Sequence, residues 1–341
     1  MTTSRLRLVG RKRAILRLID DDLDEAAEAA PLVGYGSDGF ERAFAELQRV
    51  DCDGILRAAD RAVQAFAGWC AAVSCDQRCL QRSPTDEAAE AARSVSSPSA
   101  RFCIEALVLR IAAKRLGVSL VDVVTREPVA DTLRTSAVID PRQPGFLDVA
   151  RELFKAGVST FKLKGGLDPD AEVQAVFALR GLHPDVRVRV DANGSWTVEQ
   201  AVSFMQRSVE QVEWFEDPVL GGAELSRVRS LVPRAALAWD EPFCTRDVSS
   251  PELSLVDVVV LKPMAAGGFS GCARWARKAR QLGKEVCVSH LFDGPLALEA
   301  CIALAFAIQT PRLACGLGRH AGLTSEPARD IEGLEGASLV R

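Results

Sequence analysis

From Thr132 onward, short apolar runs alternate with amphipathic stretches of helical period, each bounded by polar or glycine-containing segments. The pattern predicts strands at Thr135–Ile139, Thr160–Lys164, Arg187–Asp191, Val212–Glu216, Ala235–Asp240, Val256–Lys262, Glu285–Ser289 and Arg312–Gly316. Equivalent positions from Leu163 to Cys315 recur every 22 to 28 residues. That interval holds one strand, one crossover helix and two loops, so the repeat predicts β-α units with right-handed connections. Eight such units in about 190 residues favour a closed (β/α) barrel over an open sheet. No GxGxxG follows the first of these strands, which argues against a dinucleotide-binding sheet.

The front of the chain follows a different pattern. Leu6 to Ile19 is apolar in short β-like pieces, an acidic stretch runs from Asp20 to Asp24, and a small-residue segment ends in Pro31–Gly36. Helices are predicted over most of Gly39 to Leu116, where Phe44, Leu47, Val50 and Ile55 fall at helical spacing. A Ser/Pro break at Ser94–Ser99 precedes a helix over Ala100–Arg115, with Gly117 placed to cap its C-terminus. This part reads as an α+β unit.

Composition narrows the partners. Forty-two Lys and Arg stand against 46 Asp and Glu, giving a net charge of −4, so no basic field exists to hold nucleic acid or an anionic membrane. The basic run Arg11-Lys12-Arg13 is expected to be a solvated patch. Pro295–Ile308 is apolar but interrupted by Glu299 and too short to span a bilayer, which predicts a buried helix. Ten cysteines with no secretory leader pattern are expected to be free thiols in a cytoplasmic protein. Cys70, Cys75 and Cys79 share a helical-looking segment, but their spacing matches no zinc motif, so they are expected to be small buried side chains.

The chemistry lies where the predicted strands end. Lys162 and Lys164 close the second strand, Asp191 and Asn193 the third, Glu216 and Asp217 the fourth, Asp240 and Glu241 the fifth, and Lys262 the sixth. In a barrel these C-terminal ends converge on one mouth. Three carboxylates on consecutive strands repel one another unless a cation holds them, and an oxygen-only donor set selects a hard divalent ion, Mg²⁺ or its substitute Mn²⁺. Asp191, Glu216 and Asp240 are the expected ligands. Lysines on the second and sixth strands of an eight-stranded ring face each other across that ion. Lys162 and Lys164 lie on one side of their strand, and mutual repulsion is expected to lower their pKa enough for base chemistry. The set suits removal of a proton beside a carboxylate.

The motifs KLK (162–164), VDAN (190–193), FEDP (215–218), WDEP (239–242) and LKP (261–263), with Ala30–Gly36 and Ser99–Ala106 ahead of them, resemble the enolase superfamily, muconate-lactonizing subgroup. Within it the chain is most similar to the o-succinylbenzoate synthase family. The resemblance implies an α/β fold: a modified (β/α)7β TIM-type barrel over residues 130–319 with an N-terminal α+β capping domain over 1–125, completed by 320–341. It implies that Lys164 takes the α proton and returns it to the departing hydroxide, that Lys262 steadies the enediolate from the opposite face, and that Lys162 tunes Lys164. Asn193 and Glu241 would support the metal ligands and lysines. The implied substrate is a small carboxylate, 2-succinyl-6-hydroxy-2,4-cyclohexadiene-1-carboxylate, dehydrated to 2-succinylbenzoate in menaquinone biosynthesis. Its succinyl carboxylate would be held by the Ser289 hydroxyl and by backbone N–H groups of the loops at Ser289–Gly294 and Gly316–Gly318. His290 is either a substrate ligand or a hydrogen-bonded loop histidine. The alternative within the fold is an N-succinylamino acid racemase or dipeptide epimerase that uses the same lysine pair. Gly316-Leu-Gly-Arg-His320 stands where an epimerase carries Asp-x-Asp.

Overall fold

Runs such as Val258-Val-Val-Leu261, apolar at every position, are suited to strands covered on both faces. In the computed structural model of the chain, they pair in sequence order. The structure describes residues 11–20, 22–32, 34–35, 39–72, 81–125, 131–240, 247–318 and the backbone of 334–335 and 338–340. A hairpin comes first, β1 (Ala14–Asp20) and β2 (Leu23–Ala29), in register from Ala14 opposite Ala29 to Asp20 opposite Leu23. The acidic stretch therefore supplies the turn and the start of a strand, and the small-residue segment after it is largely β2.

Among the described residues there follow the helices α1 (Phe40–Leu47), α2 (Cys52–Ala71), α3 (Pro84–Ala91), α4 (Pro98–Leu116) and α5 (Leu120–Val124). Capping chemistry sets the starts of α3, α4 and α5. Ser83 and Asp86 form a reciprocal capping box at α3, Ser97 caps α4 ahead of Pro98, and Gly117 ends α4 with φ 66°. α4 is apolar nearly all round and packs against β2, α2, α3 and the barrel, so it is the shared core of the molecule.

The barrel contains β4 (Ser136–Ile139), preceded by the short β3 (Thr132–Arg134), then β5 (Thr160–Lys164), β6 (Arg187–Asp191), β7 (Val212–Glu216), β8 (Leu237–Trp239), β9 (Val258–Leu261) and β10 (Glu285–Val288). β4 to β10 form one parallel seven-stranded sheet in chain order. Helices α6 (Phe146–Lys155), α7 (Pro169–Arg180), α8 (Val198–Ser208), α9 (Gly222–Leu231), α10 (Pro263–Ala266), α11 (Gly268–Gln281) and α12 (Pro295–Ile308) connect them. The expected eighth strand, Arg312–Gly316, shrinks to two bridges, Cys315 to Thr135 and Gly316 to Ser289. A turn from Thr310 to Leu313 uses up the residues before it, yet these two bridges join both edges of the sheet. At the chain's end, β11 (Leu334–Glu335) and β12 (Ser338–Val340) form a ribbon in which β12 pairs with β3.

The apolar run at Pro295–Ile308 is the buried helix α12, and no helix among the described residues is long and apolar enough to cross a membrane. The basic run is not a solvated patch as a whole. Lys12 is 71% exposed, but Arg11 is 14% exposed, 3.6 Å from Asp293, and Arg13 lies 3.7 Å from Glu28. Buried carboxylates behind β1 draw those two guanidiniums inward. Cys70 is exposed rather than buried, because it falls on the outer side of α2; Cys75 and Cys79 lie outside the described residues.

Candidate active site

Strand register brings the predicted residues together. Lys164, Asp191 and Glu216 are neighbours across β5, β6 and β7, and Asp240 follows β8 at the same end of the barrel. Residues two apart on a strand share a face, so Lys162 lies one step below Lys164 on the interior side. All three carboxylates are buried. Lys162 Nζ is 2.7 Å from Asp191 Oδ2 and 2.5 Å from Glu216 Oε1; Lys164 Nζ is 2.6 Å from Asp191 Oδ2 and donates to Asn193 Oδ1 at 3.2 Å. Across the ring, Lys262 Nζ sits 2.5 Å from Asp240 Oδ2 and 4.7 Å from the centre of the Tyr35 ring.

The electrostatics follow from this crowding. Burial opposes charge on Asp191, but the Lys162 and Lys164 ammoniums outweigh it and hold that carboxyl well below its ordinary range. Burial pushes Glu216 up to about 7; Lys162 opposes the rise, and Asp191 and Asp240 add to it. For Lys162 the expected lowering is reversed. Burial works against its charge, yet Asp191, Glu216 and Asp240 together raise its pKa well above the ordinary value. Sequence reasoning weighed Lys162 against the neighbouring lysine, whereas its nearest atoms are carboxylate oxygens.

Backbone turns hold these groups in place. Asn193 and Asp217 both adopt positive φ, at 48° and 39°. Asn193 N–H donates to Asp191 Oδ1 at 2.9 Å, and Asp217 Oδ1 accepts the Asp240 N–H at 3.2 Å. Asp217 thus ties the ends of β7 and β8 together. Beyond Lys164, the Glu172 carboxylate accepts N–H bonds from Gly166, Leu167 and Asp168 at 2.9 to 3.1 Å. Gly166 has φ 105°, and a Cβ there would fall 1.9 Å from Ser195 Oγ, so only glycine fits.

On the far side, Ser289 Oγ donates to the Gly316 carbonyl at 3.2 Å and Gly316 N–H donates to Val288 at 2.8 Å, so both engage in barrel closure. His290 Nδ1 accepts the Phe292 N–H at 2.9 Å, and its Nε2 lies 3.2 Å from the Gly318 carbonyl. Glu241 lies outside the described residues. Two groups with no assigned role emerge. Tyr35 reaches Lys262 from the front of the chain, a contact for which the sequence holds no local signal. Glu28 on β2 accepts the Gly294 N–H at 2.6 Å, tying the hairpin to the loop after β10.

The donors Asp191, Glu216 and Asp240 have the chemistry that a hard divalent cation takes. They are oxygen-only, buried, and each is already held by an ammonium group. In this arrangement no three acidic, His or Cys side chains among the described residues gather into a ready cage.

Comparison with known proteins bears on the same residues. The pattern of the family described as "Enolase C-terminal domain-like" matches residues 145–334. An o-succinylbenzoate synthase of Thermobifida fusca is 32% identical over 223 residues, 61% of this chain and 67% of that protein. One of Aliivibrio fischeri (strain MJ11) is 30% identical over 167 residues, 48% of this chain and 51% of that protein. The match therefore spans between half and two thirds of these relatives. Among solved structures, muconate lactonizing enzyme from Pseudomonas putida superposes with a TM-score of 0.74 at 18% identity, covering 98% of this chain and 90% of that one, a likeness of fold.

Proposed function

The chain belongs to the enolase C-terminal domain-like family, and we propose that it is an o-succinylbenzoate synthase, a carbon–oxygen lyase that dehydrates 2-succinyl-6-hydroxy-2,4-cyclohexadiene-1-carboxylate to 2-succinylbenzoate. The observation that carries this reading is the placement of Lys164 and Lys262 on the second and sixth barrel strands, with Asp191, Glu216 and Asp240 on the three between them. The similarity to o-succinylbenzoate synthases chooses among the reactions such a site can run.

Asp191, Glu216 and Asp240 would hold Mg²⁺, or Mn²⁺ in its place, which when bound polarises the substrate carboxylate and so acidifies the adjacent C–H. Lys164 removes that proton and delivers it to the hydroxyl group leaving from the same face, one group serving as base and then acid. Lys262 stays protonated on the opposite wall, its ammonium facing the charge that develops on the carboxylate. Lys162, bridging Asp191 and Glu216, would tune Lys164, with which it shares the Asp191 carboxylate. Asn193 orients the Lys164 ammonium. Ser289, His290 and Gly316, at the strand ends where the barrel closes, would hold the succinyl tail.

The test is a paired assay with Mg²⁺ present. The wild-type protein is expected to convert the cyclohexadiene to 2-succinylbenzoate, and Lys164→Ala to lose about 10²- to 10⁴-fold in kcat/KM, the scale of a missing general base. Full activity of Lys164→Ala would sink the mechanism. Exchange of the α proton of N-succinylamino acids in D₂O, with the diene untouched, would instead establish the racemase reading.

A further inference from the structure

One rung below the carboxylates, the barrel interior is not apolar. Lys162, Arg189 and Trp214 are register neighbours there, directly beneath the rung of Lys164, Asp191 and Glu216. Arg189 is 2% exposed, beside Trp214 and Cys287 of a buried apolar cluster, in a layer where barrels ordinarily place branched apolar side chains. A guanidinium in such a place is costly unless it is paired. Its Nε donates to Glu213 Oε2 at 2.6 Å and its Nη1 to the Ala314 carbonyl at 2.7 Å, while its plane lies 3.6 Å from the centre of the Trp214 ring. Nη2 has no hydrogen-bond partner among the described residues, so the pairing is incomplete.

A local irregularity of the sheet makes this arrangement possible. Val188 pairs with Val212, but Arg189 pairs with Trp214, so Glu213 is an extra residue on β7. Such a bulge shifts the alternation of the strand and re-aims the side chains beyond it. Here it sets Glu213 beside the guanidinium and turns both Trp214 and Glu216 toward the interior. From there Trp214 Nε1 donates to Glu216 Oε2 at 3.5 Å, on the oxygen opposite the one that Lys162 contacts.

We propose that Arg189 and Trp214 form a positioning platform for Glu216: the guanidinium clamps the indole between the bulge and the closing segment at Ala314, and the indole N–H holds the carboxylate in the orientation that binds the divalent cation. The inference rests on the metal-dependent reading above and adds the residues that prepare one ligand. Both are positioning residues, since they act through Glu216.

The test is Mg²⁺ binding to the substrate-free protein by isothermal titration calorimetry, beside the thermal unfolding of the metal-free protein. Trp214→Phe keeps the ring on the guanidinium and removes only the N–H; Arg189→Met keeps the volume and removes the clamp. Each is expected to weaken Mg²⁺ binding by about 10-fold or more, the usual cost of losing a group that orients a ligand. Arg189→Lys is expected to recover little, because an ammonium does not stack in the same way. Wild-type affinity in Trp214→Phe, even with a lowered Tm, would overturn the platform and leave Arg189 a packing residue. If Arg189→Met does not fold, Trp214→Phe decides alone. A wild-type protein that binds neither Mg²⁺ nor Mn²⁺ would overturn the metal reading itself, whatever the variants do.

Discussion

Lys262 lies between the Asp240 carboxylate and an aromatic face, and the face belongs to a residue from the front of the chain. An ammonium over a ring gains about 0.5–2 kcal/mol depending on how dry the site is, and Tyr35 is itself buried. Tyr35→Phe keeps that face, so its kcat/KM for the cyclohexadiene should stay within about twofold of wild type. Tyr35→Leu keeps an apolar side chain without the ring, and steady-state kinetics should show a loss of roughly 3- to 30-fold. Equal activity in Phe and Leu variants would mean that the ring only fills space. The residues legible in the sequence were those whose chemistry repeats with the strands: Lys164, Asp191, Glu216, Asp240 and Lys262 each end a unit. Tyr35, Arg189 and Trp214 do not repeat, and their roles depend on what the fold places opposite them.

At the level of elements, β4 to β10 were legible to within two residues because alternation and spacing are local properties, whereas β2 and the docking of the hairpin were not. Arg11 and Arg13 looked like surface charge, and the buried acids that hold them, Glu28 and Asp293, come from β2 and from the loop after β10. Burial drives the Glu28 carboxyl up to about 7; Asp293 adds to the rise, while Arg13, the Gly294 N–H and Arg11 oppose it. The folded protein therefore keeps a proton on Glu28 that the unfolded chain releases near the ordinary value of 4.5. This contribution to stability is complete below about pH 4.5 and is lost as pH rises toward 7, a span worth roughly 3 kcal/mol. Urea unfolding at pH 5 and pH 8 should show the wild type losing more stability across that interval than Glu28→Gln, which has no proton to lose. Parallel pH dependence in the two proteins would show that Glu28 titrates as an ordinary carboxylate.

For the molecule as a whole, the repeat of 22 to 28 residues announced a ring, but not how it closes. Two residues leave no periodic trace, and the expected strand at Arg312–Gly316 is mostly turn. Closure instead depends on close approach. A Cβ on Gly316 would lie 2.4 Å from Ser289 Oγ and 2.8 Å from Ser289 Cβ, well inside contact distance. Gly316→Ala must therefore push β10 away from the closing segment, which also bears the Ala314 carbonyl that anchors Arg189. Overpacking of this kind costs about 1–3 kcal/mol. Ser289→Ala cannot relieve it, because the Cβ contact remains, whereas Ser289→Gly removes both clashing atoms. The double variant Gly316→Ala/Ser289→Gly should thus be more stable than the sum of its single changes allows, a coupling that a double-mutant cycle of urea midpoints measures directly. Additive effects would mean that the seam opens without strain, and that the barrel is held closed by its helices rather than by the meeting of Ser289 and Gly316.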